Sequence, residues 1–273
     1  MRGKRTVLML VSIVVVLSAC SSGNGATSGG SSRTGGSTMQ LTVLGAASLS
    51  TVFPGIGNAF TASNPGVSVR FGFAGTDALV AQVEQGAPAD VFAGASTKYG
   101  DQLSGENLIG APVPFATNSL VVIVPAANPA HISSPQDLSR SGIKVVIGAG
   151  TVPIGAYTRT VLTSLDGVYG NGYSDAVLAN VASEEDSVTT ILSKVQLGEA
   201  DAGFVYETDA RAAGAQVTSV ELPAEAQAVA TYPIATVDAS KHGAEAQTFV
   251  DFVLEPRAQA MLAAAGFGPP PSG

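Results

Sequence analysis

Short apolar runs alternate along this chain with turns built of glycine, alanine and hydroxyl residues, and the apolar period changes from one run to the next. Gln40-Leu-Thr-Val-Leu-Gly-Ala-Ala reads as a buried strand entering a small-residue turn at Ser48. Leu49, Val52, Phe53, Ile56 and Phe60 then recur at helical spacing, which predicts a helix over 49–62 with Pro54 in its first turns. A second strand over 67–73 runs into Ala74-Gly75-Thr76-Asp77 and a helix over 78–85, and 89–94 is a third strand. Strand, turn, helix, strand is the pattern of an α/β protein with a parallel sheet. Later apolar runs predict strands over 119–125, 144–148, 202–206 and 231–237. Helical periods cover 156–164, 188–197 and 244–254, with one more helix after Pro256. The natural reading is two α/β lobes, 40–118 with 231–273 and 119–230, the chain crossing between them near Asn118 and Ala230.

The segment before residue 40 has a different character. Arg2, Lys4 and Arg5 precede an apolar run from Val7 to Leu17, about the length of a secretory signal core and too short to span a bilayer comfortably. It ends in Leu17-Ser18-Ala19-Cys20, which resembles the lipobox of bacterial lipoproteins. The resemblance implies that residues 1–19 are a signal peptide and that Cys20 becomes a lipidated N-terminus. The alternative is an ordinary signal peptide with an incidental cysteine. Residues 20–39 are nearly all Ser, Gly, Thr, Asn and Ala, a composition that cannot bury a core and behaves as a tether. The expected product is a domain anchored by lipid at the extracytoplasmic face of the cell membrane.

Composition narrows the chemistry. Cys20 is the only cysteine, so the folded part has neither a disulfide nor a thiolate metal site. His131 and His242 are the only histidines and lie far apart, both expected at the surface, so a His-based metal site or a Ser-His-Asp triad is poorly supplied. Tryptophan is absent, and stacking platforms for sugars or bases are scarce. All 21 acidic residues but only nine of the 13 basic ones follow residue 40, leaving the folded part at about −12. Bulk electrostatics therefore argue against nucleic acid or anionic lipid as partner. An anion could bind only through local dipoles working against the overall field.

The strand-to-helix turns supply such dipoles. Ser48, Thr76 and the Gly150–Gly155 segment each lead toward a helix start, and a fourth helix begins near Asp186-Ser187-Val188. Helix N-termini present free N–H groups and positive dipole ends. In open α/β sheets such turns gather where ligands bind. Each turn alone reads equally as simple capping; the combination suggests one small oxyanion. Gly148-Ala-Gly-Thr-Val-Pro153 fails the dinucleotide fingerprint, and neither a P-loop nor a G-x-S-x-G motif occurs. Glu184-Glu185-Asp186 is expected on a solvated loop.

Five segments carry a wider resemblance: Gly45-Ala-Ala-Ser-Leu49, Gly86-Ala-Pro-Ala-Asp-Val-Phe92, Asn118-Ser-Leu-Val-Val-Ile-Val, Val152-Pro-Ile-Gly-Ala-Tyr157 and Gly198-Glu-Ala-Asp-Ala-Gly-Phe-Val-Tyr206. The chain from about 40 to 268 is similar to the substrate-binding proteins of molybdate ABC transporters. The resemblance implies a type II periplasmic-binding-protein fold, two α/β lobes joined by crossover segments with the ligand in the cleft. It implies an oxyanion held by the hydroxyls of Ser48 and Thr76, the backbone N–H groups of Ile154 and Val188, and the phenol of Tyr206. Because one extra residue stands near Ser187, that residue is the alternative to Val188. Asp77 departs from the family pattern: it either sits in the first turn of its helix or enters the site, where it could read the proton of a phosphate. Implied partners are molybdate, with tungstate alongside, a membrane permease and its ATPase. The protein is expected to act as a monomer without cofactor or resident metal. Rival readings are a receptor for sulfate, phosphate or a small organic acid, and a secreted hydrolase using Ser48, which lacks an identifiable base.

Overall fold

The computed structural model describes residues 39–271; the expected signal peptide, Cys20 and nearly all of the tether lie outside them. The first elements are β1 (Met39–Ala46), a 3-10 turn (Ala47–Leu49), α1 (Phe53–Ser63), β2 (Val67–Ala74), α2 (Thr76–Glu84), β3 (Val91–Ala93) and α3 (Thr97–Gly105). The long β4 (Val113–Pro125) leads to β5 (Val145–Gly148), α4 (Pro153–Tyr169), α5 (Tyr173–Ala179), β6 (Val181–Glu185) and α6 (Val188–Gln196). Then follow β7 (Ala202–Tyr206), α7 (Glu207–Ala213), β8 (Val217–Val220), β9 (Val229–Thr236), α8 (Gly243–Leu254) and α9 (Pro256–Ala265). Among the described residues no helix is long and apolar enough to cross a membrane.

The strands pair in the order β2-β1-β3-β9-β4-β7-β5-β6, with β8 also on β4. Parallel pairs lie toward both ends: β1 with β2 and β3, and β5 with β6 and β7. The middle is antiparallel, and β4 is its axis. From Val113 to Ser119 it pairs with β9; from Leu120 to Ile123 it pairs with β7. One strand thus belongs to two half-sheets, changing partner between Ser119 and Leu120. It starts six residues before the expected 119. Pro114 is accommodated because the register shifts between Pro114 and Ala116, the irregularity where a strand tolerates proline.

Most other elements follow the expected pattern, with two kinds of difference. The helix expected over 49–62 is split: Ser48 and Leu49 lie in the 3-10 turn, and α1 begins at Phe53 with Pro54 in its first turn. Elements α3, α5, β6, α7 and β8 have no counterpart in the expectation. β6 reaches Glu185, so Glu184 and Glu185 end an edge strand and do not form a solvated loop. Glu185 is buried and bonded to Lys194 of α6. His131 is exposed and His242 half-buried.

An aromatic cluster packs helices α1 and α8 on the first half-sheet. The Phe249 ring lies edge-on to Phe60 at 5.2 Å and near Phe53 and Phe71 at 6.5 and 6.4 Å. Phe53, Phe60 and Phe249 are fully buried. Replacing Phe249 with Ala removes these contacts and leaves a cavity. We expect a loss of about 3–5 kcal/mol of stability, read as a lower midpoint in urea denaturation; a loss under about 1 kcal/mol would mean the cluster is not a support of this half.

Candidate functional site

Five chain segments converge where the half-sheets meet. Ala46, Ala47 and Ser48 leave β1; Ala74, Gly75 and Thr76 leave β2; Val152, Pro153 and Ile154 enter α4; Val188 opens α6; Tyr206 ends β7. These residues, with Ala95, line one small cavity. It lies far below the pockets of about 300 to 1,000 Å3 that bury drug-sized molecules, so nothing larger than a ligand of a few heavy atoms suits it. All five residues expected at the site therefore share one cavity. Ser187 and Asp77 are not among its lining residues. Ser187 precedes α6, with its hydroxyl 3.0 and 2.9 Å from those of Thr189 and Thr190.

The turns approach one another closely, and glycine makes this feasible. A Cβ on Gly155 would stand 2.0 and 2.3 Å from the carbonyl oxygens of Ala149 and Gly148; one on Gly75 would stand 2.3 Å from that of Asp186. Gly75 belongs to the first half and Asp186 to the second, so the two halves meet at backbone distance. Proline opens α4 at its first position, where its missing N–H breaks no helical bond and the next N–H, that of Ile154, faces outward from the helix end.

The polar groups of the cavity are neutral, and neither Lys, Arg nor His lines it. Thr76, 1 % exposed, accepts a bond from the Ala95 N–H at 3.1 Å, which leaves its own proton to give. The Ser48 hydroxyl lies 2.9 Å from that of Tyr232. The Tyr206 hydroxyl is buried with no hydrogen-bond partner. Burial, with Tyr232, Tyr157 and Asp209 nearby, pushes this phenol well above the ordinary tyrosine range, so it remains a donor. An unmade bond of this kind costs about 1–3 kcal/mol, and an acceptor placed in the cavity would recover it.

Asp77 lies in the first turn of α2, where negative charge is favoured. Its carboxylate accepts from the Thr151 hydroxyl at 3.0 Å, and the Tyr99 hydroxyl donates to the Thr151 carbonyl. Both contacts join α2 and α3 of the first half to the β5–α4 turn of the second. Asp77 is a tie between the halves, not a lining group of the cavity.

Sequence reasoning missed the layer behind the cavity. Tyr232 on β9, Asn118 on β4 and Thr208 and Asp209 on α7 are all buried. Asn118 Nδ2 donates to Thr208 Oγ1 at 2.8 Å. Asp209 accepts from the Tyr206 N–H at 3.3 Å.

Burial raises the Asp209 carboxyl from 3.8 to about 7, against the lowering effect of the Tyr206 N–H. The folded form therefore holds a proton that the unfolded chain releases near pH 4. Stability from this group is complete below about pH 4 and falls as pH rises toward 7, by up to about 1.4 kcal/mol per pH unit. Asp209→Asn keeps an acceptor for Tyr206 and should flatten that stretch of the curve in urea titrations at pH 4–8. An unchanged slope would mean that Asp209 is ionised throughout.

Known proteins place the chain in context. Residues 41–268 match the family of bacterial extracellular solute-binding proteins. The molybdate-binding protein ModA of Mycobacterium tuberculosis is 39 % identical over 269 residues, 98 % of each chain. That of Haemophilus influenzae is 30 % identical, covering 84 % of this chain and 89 % of the relative. The periplasmic molybdate-binding protein of Azotobacter vinelandii superposes with a TM-score of 0.73 at 23 % identity, over 85 % of this chain and all of that one, which shows a shared fold. The chain belongs to the bacterial extracellular solute-binding proteins, in the branch whose members are named molybdate-binding proteins.

Proposed function

We propose that this protein is the extracytoplasmic receptor of an ABC importer and binds molybdate, with tungstate as a second ligand of nearly equal size. It delivers the ion to a membrane permease driven by a cytoplasmic ATPase. In this reading it is a monomer, carries no cofactor and catalyses nothing. Cys20 is its lipid anchor and residues 20–39 are its leash. The lobes are 40–118 with 231–273, and 119–230, each centred on one half-sheet.

The observation that carries the reading is the buried Tyr206 hydroxyl without a partner, set in a small cavity that the hydroxyl residues Ser48 and Thr76 and the starts of α2, α4 and α6 also line. A fully deprotonated tetrahedral oxyanion offers only acceptors and matches such a lining. Ser48 and Thr76 donate from the first lobe; Ile154, Val188 and Tyr206 donate from the second. The relatives named as molybdate-binding proteins support the same ligand. Closure brings the two sets of donors to one ion, and the Asp77–Thr151 and Tyr99–Thr151 bonds tie the mouth. Discrimination against sulfate follows from size: a smaller ion fails to reach every donor, and each buried bond left unmade costs roughly 1–3 kcal/mol. Phosphate near neutral pH carries a proton that needs an acceptor, and Asp77 stands outside the cavity lining.

Calorimetric titration of ligand-stripped protein from residue 39 onward with molybdate, tungstate, sulfate and phosphate tests this. Tight binding of the first two with weak response to the others is expected. A preference for sulfate or phosphate would overturn the assignment of ligand. Tyr206→Phe should weaken molybdate binding by roughly ten- to a hundredfold with the fold intact, the loss of one bond to a charged group; unchanged affinity would remove Tyr206 from the donors.

A further inference from the structure

Ser48 and Tyr232 share one hydrogen bond, 2.9 Å long between residues 184 positions apart, and either oxygen could supply the proton. The direction matters to an anion. If Ser48 donates to Tyr232, the serine turns lone pairs to the cavity and repels a negative ligand. If Tyr232 donates to Ser48, the serine proton is left to face the cavity. The surroundings of Tyr232 favour the second arrangement. Asn118 Nδ2 carries two hydrogens, one directed to Thr208 Oγ1 at 2.8 Å and the other toward the Tyr232 oxygen at 3.5 Å. The phenol oxygen thus meets a donor from behind, and its own proton has Ser48 Oγ as acceptor. Thr76 repeats the design: its oxygen is engaged by the Ala95 N–H, so its proton too is free.

We propose that Tyr232, backed by Asn118, is a positioning residue that fixes the Ser48 hydroxyl as a donor to the bound oxyanion. The inference rests on the oxyanion reading of the cavity. Tyr232 itself is fully buried and absent from the cavity lining, and its hydroxyl meets the cavity through Ser48. Its ring packs edge-on or tilted against Phe115, Tyr206 and Phe267 at 6.1, 6.0 and 5.4 Å. Phenylalanine at this position keeps those contacts and removes only the hydroxyl.

The test is a double-mutant cycle read by titration with molybdate. Tyr232→Phe should weaken binding by about tenfold, and Ser48→Ala by at least as much. The double variant should bind no more weakly than Ser48→Ala alone, because the proposed route from the phenol hydroxyl to the ligand runs through Ser48. Multiplying losses in the double variant, or native affinity in Tyr232→Phe, would overturn the proposal. A support that only holds the fold would lower the thermal midpoint of the ligand-free protein without this dependence on Ser48. If Tyr232→Phe does not fold, Asn118→Ala serves in its place: a smaller loss is expected, again absorbed by Ser48→Ala. Tighter binding in Asn118→Ala would mean that the amide oxygen faces the phenol, reversing the proton and refuting the assignment. If the native protein ignores molybdate and binds sulfate or phosphate, the ligand reading falls. The same cycle run with that ion still decides the role of Tyr232.

Discussion

Polar groups taken out of water must find partners inside the protein, and at the junction of the two half-sheets this requirement governs almost every residue. Ser48, Thr76, Asn118, Tyr206, Thr208 and Asp209 are buried at or just behind one cavity. Most are satisfied by one another: Thr76 by Ala95, Asn118 by Thr208, the Tyr206 N–H by Asp209. The Tyr206 hydroxyl and the Asn118 Oδ1 are not. An unmet donor facing a cavity from a largely paired network is the physical mark of a binding site, because the network fixes its direction before a ligand arrives and the ligand supplies the missing acceptor.

Such a network needs close backbone approach, and the topology provides it. β4 spans both half-sheets, so residues that follow β1 and β2 come to rest against residues that follow β5 and β7. Gly75 and Gly155 allow the turns to touch where any side chain would collide with a carbonyl. Pro153 starts α4 at the position where proline costs least and leaves the next N–H directed outward. The ties from Asp77 and Tyr99 to Thr151 sit around this point, joining elements that belong to opposite halves. Hinge motion about β4 and β9 would break these ties while leaving each half-sheet paired.

The fold was largely legible because its inner strands are buried on both faces and read as unbroken apolar runs, as in Val145–Gly148 and Ala202–Tyr206. The elements that escaped are short or polar. β6 reads Val-Ala-Ser-Glu-Glu and lies at a sheet edge, where one side is exposed and hydropathy is uninformative. α5 and α7 have only seven residues, and the nine of α3, Thr-Lys-Tyr-Gly-Asp-Gln-Leu-Ser-Gly, are mostly polar or glycine, so no apolar period declares itself. Ser48, Thr76, Ile154, Val188 and Tyr206 could be grouped beforehand because three of the resembling segments and the turn-to-helix pattern carry them, and all five line one cavity. Tyr232 and Asn118 were not. Their significance lies in contacts to Ser48 and Thr208 across 184 and 90 residues, which no local pattern records. Asp209 shows the same limit: its sequence position is that of an ordinary acid in a first helical turn, and only the packing around it raises its carboxyl to about 7.

The acidic character of the folded part and an anionic ligand are compatible because the two act over different distances. A net charge of about −12 on the residues after 40 repels an anion at long range, but at physiological salt this field is screened within about 8–10 Å. Inside the cavity no ions intervene, and three helices of nine or more residues begin there, at Thr76, Pro153 and Val188. Each carries roughly half a positive charge at its start. Together with the hydroxyls of Ser48, Thr76 and Tyr206, they offset most of a dianion's charge without a basic side chain. A lysine or arginine in the same place would attract every anion alike, whereas fixed dipoles from two separate halves favour an ion whose size lets it touch all of them at once.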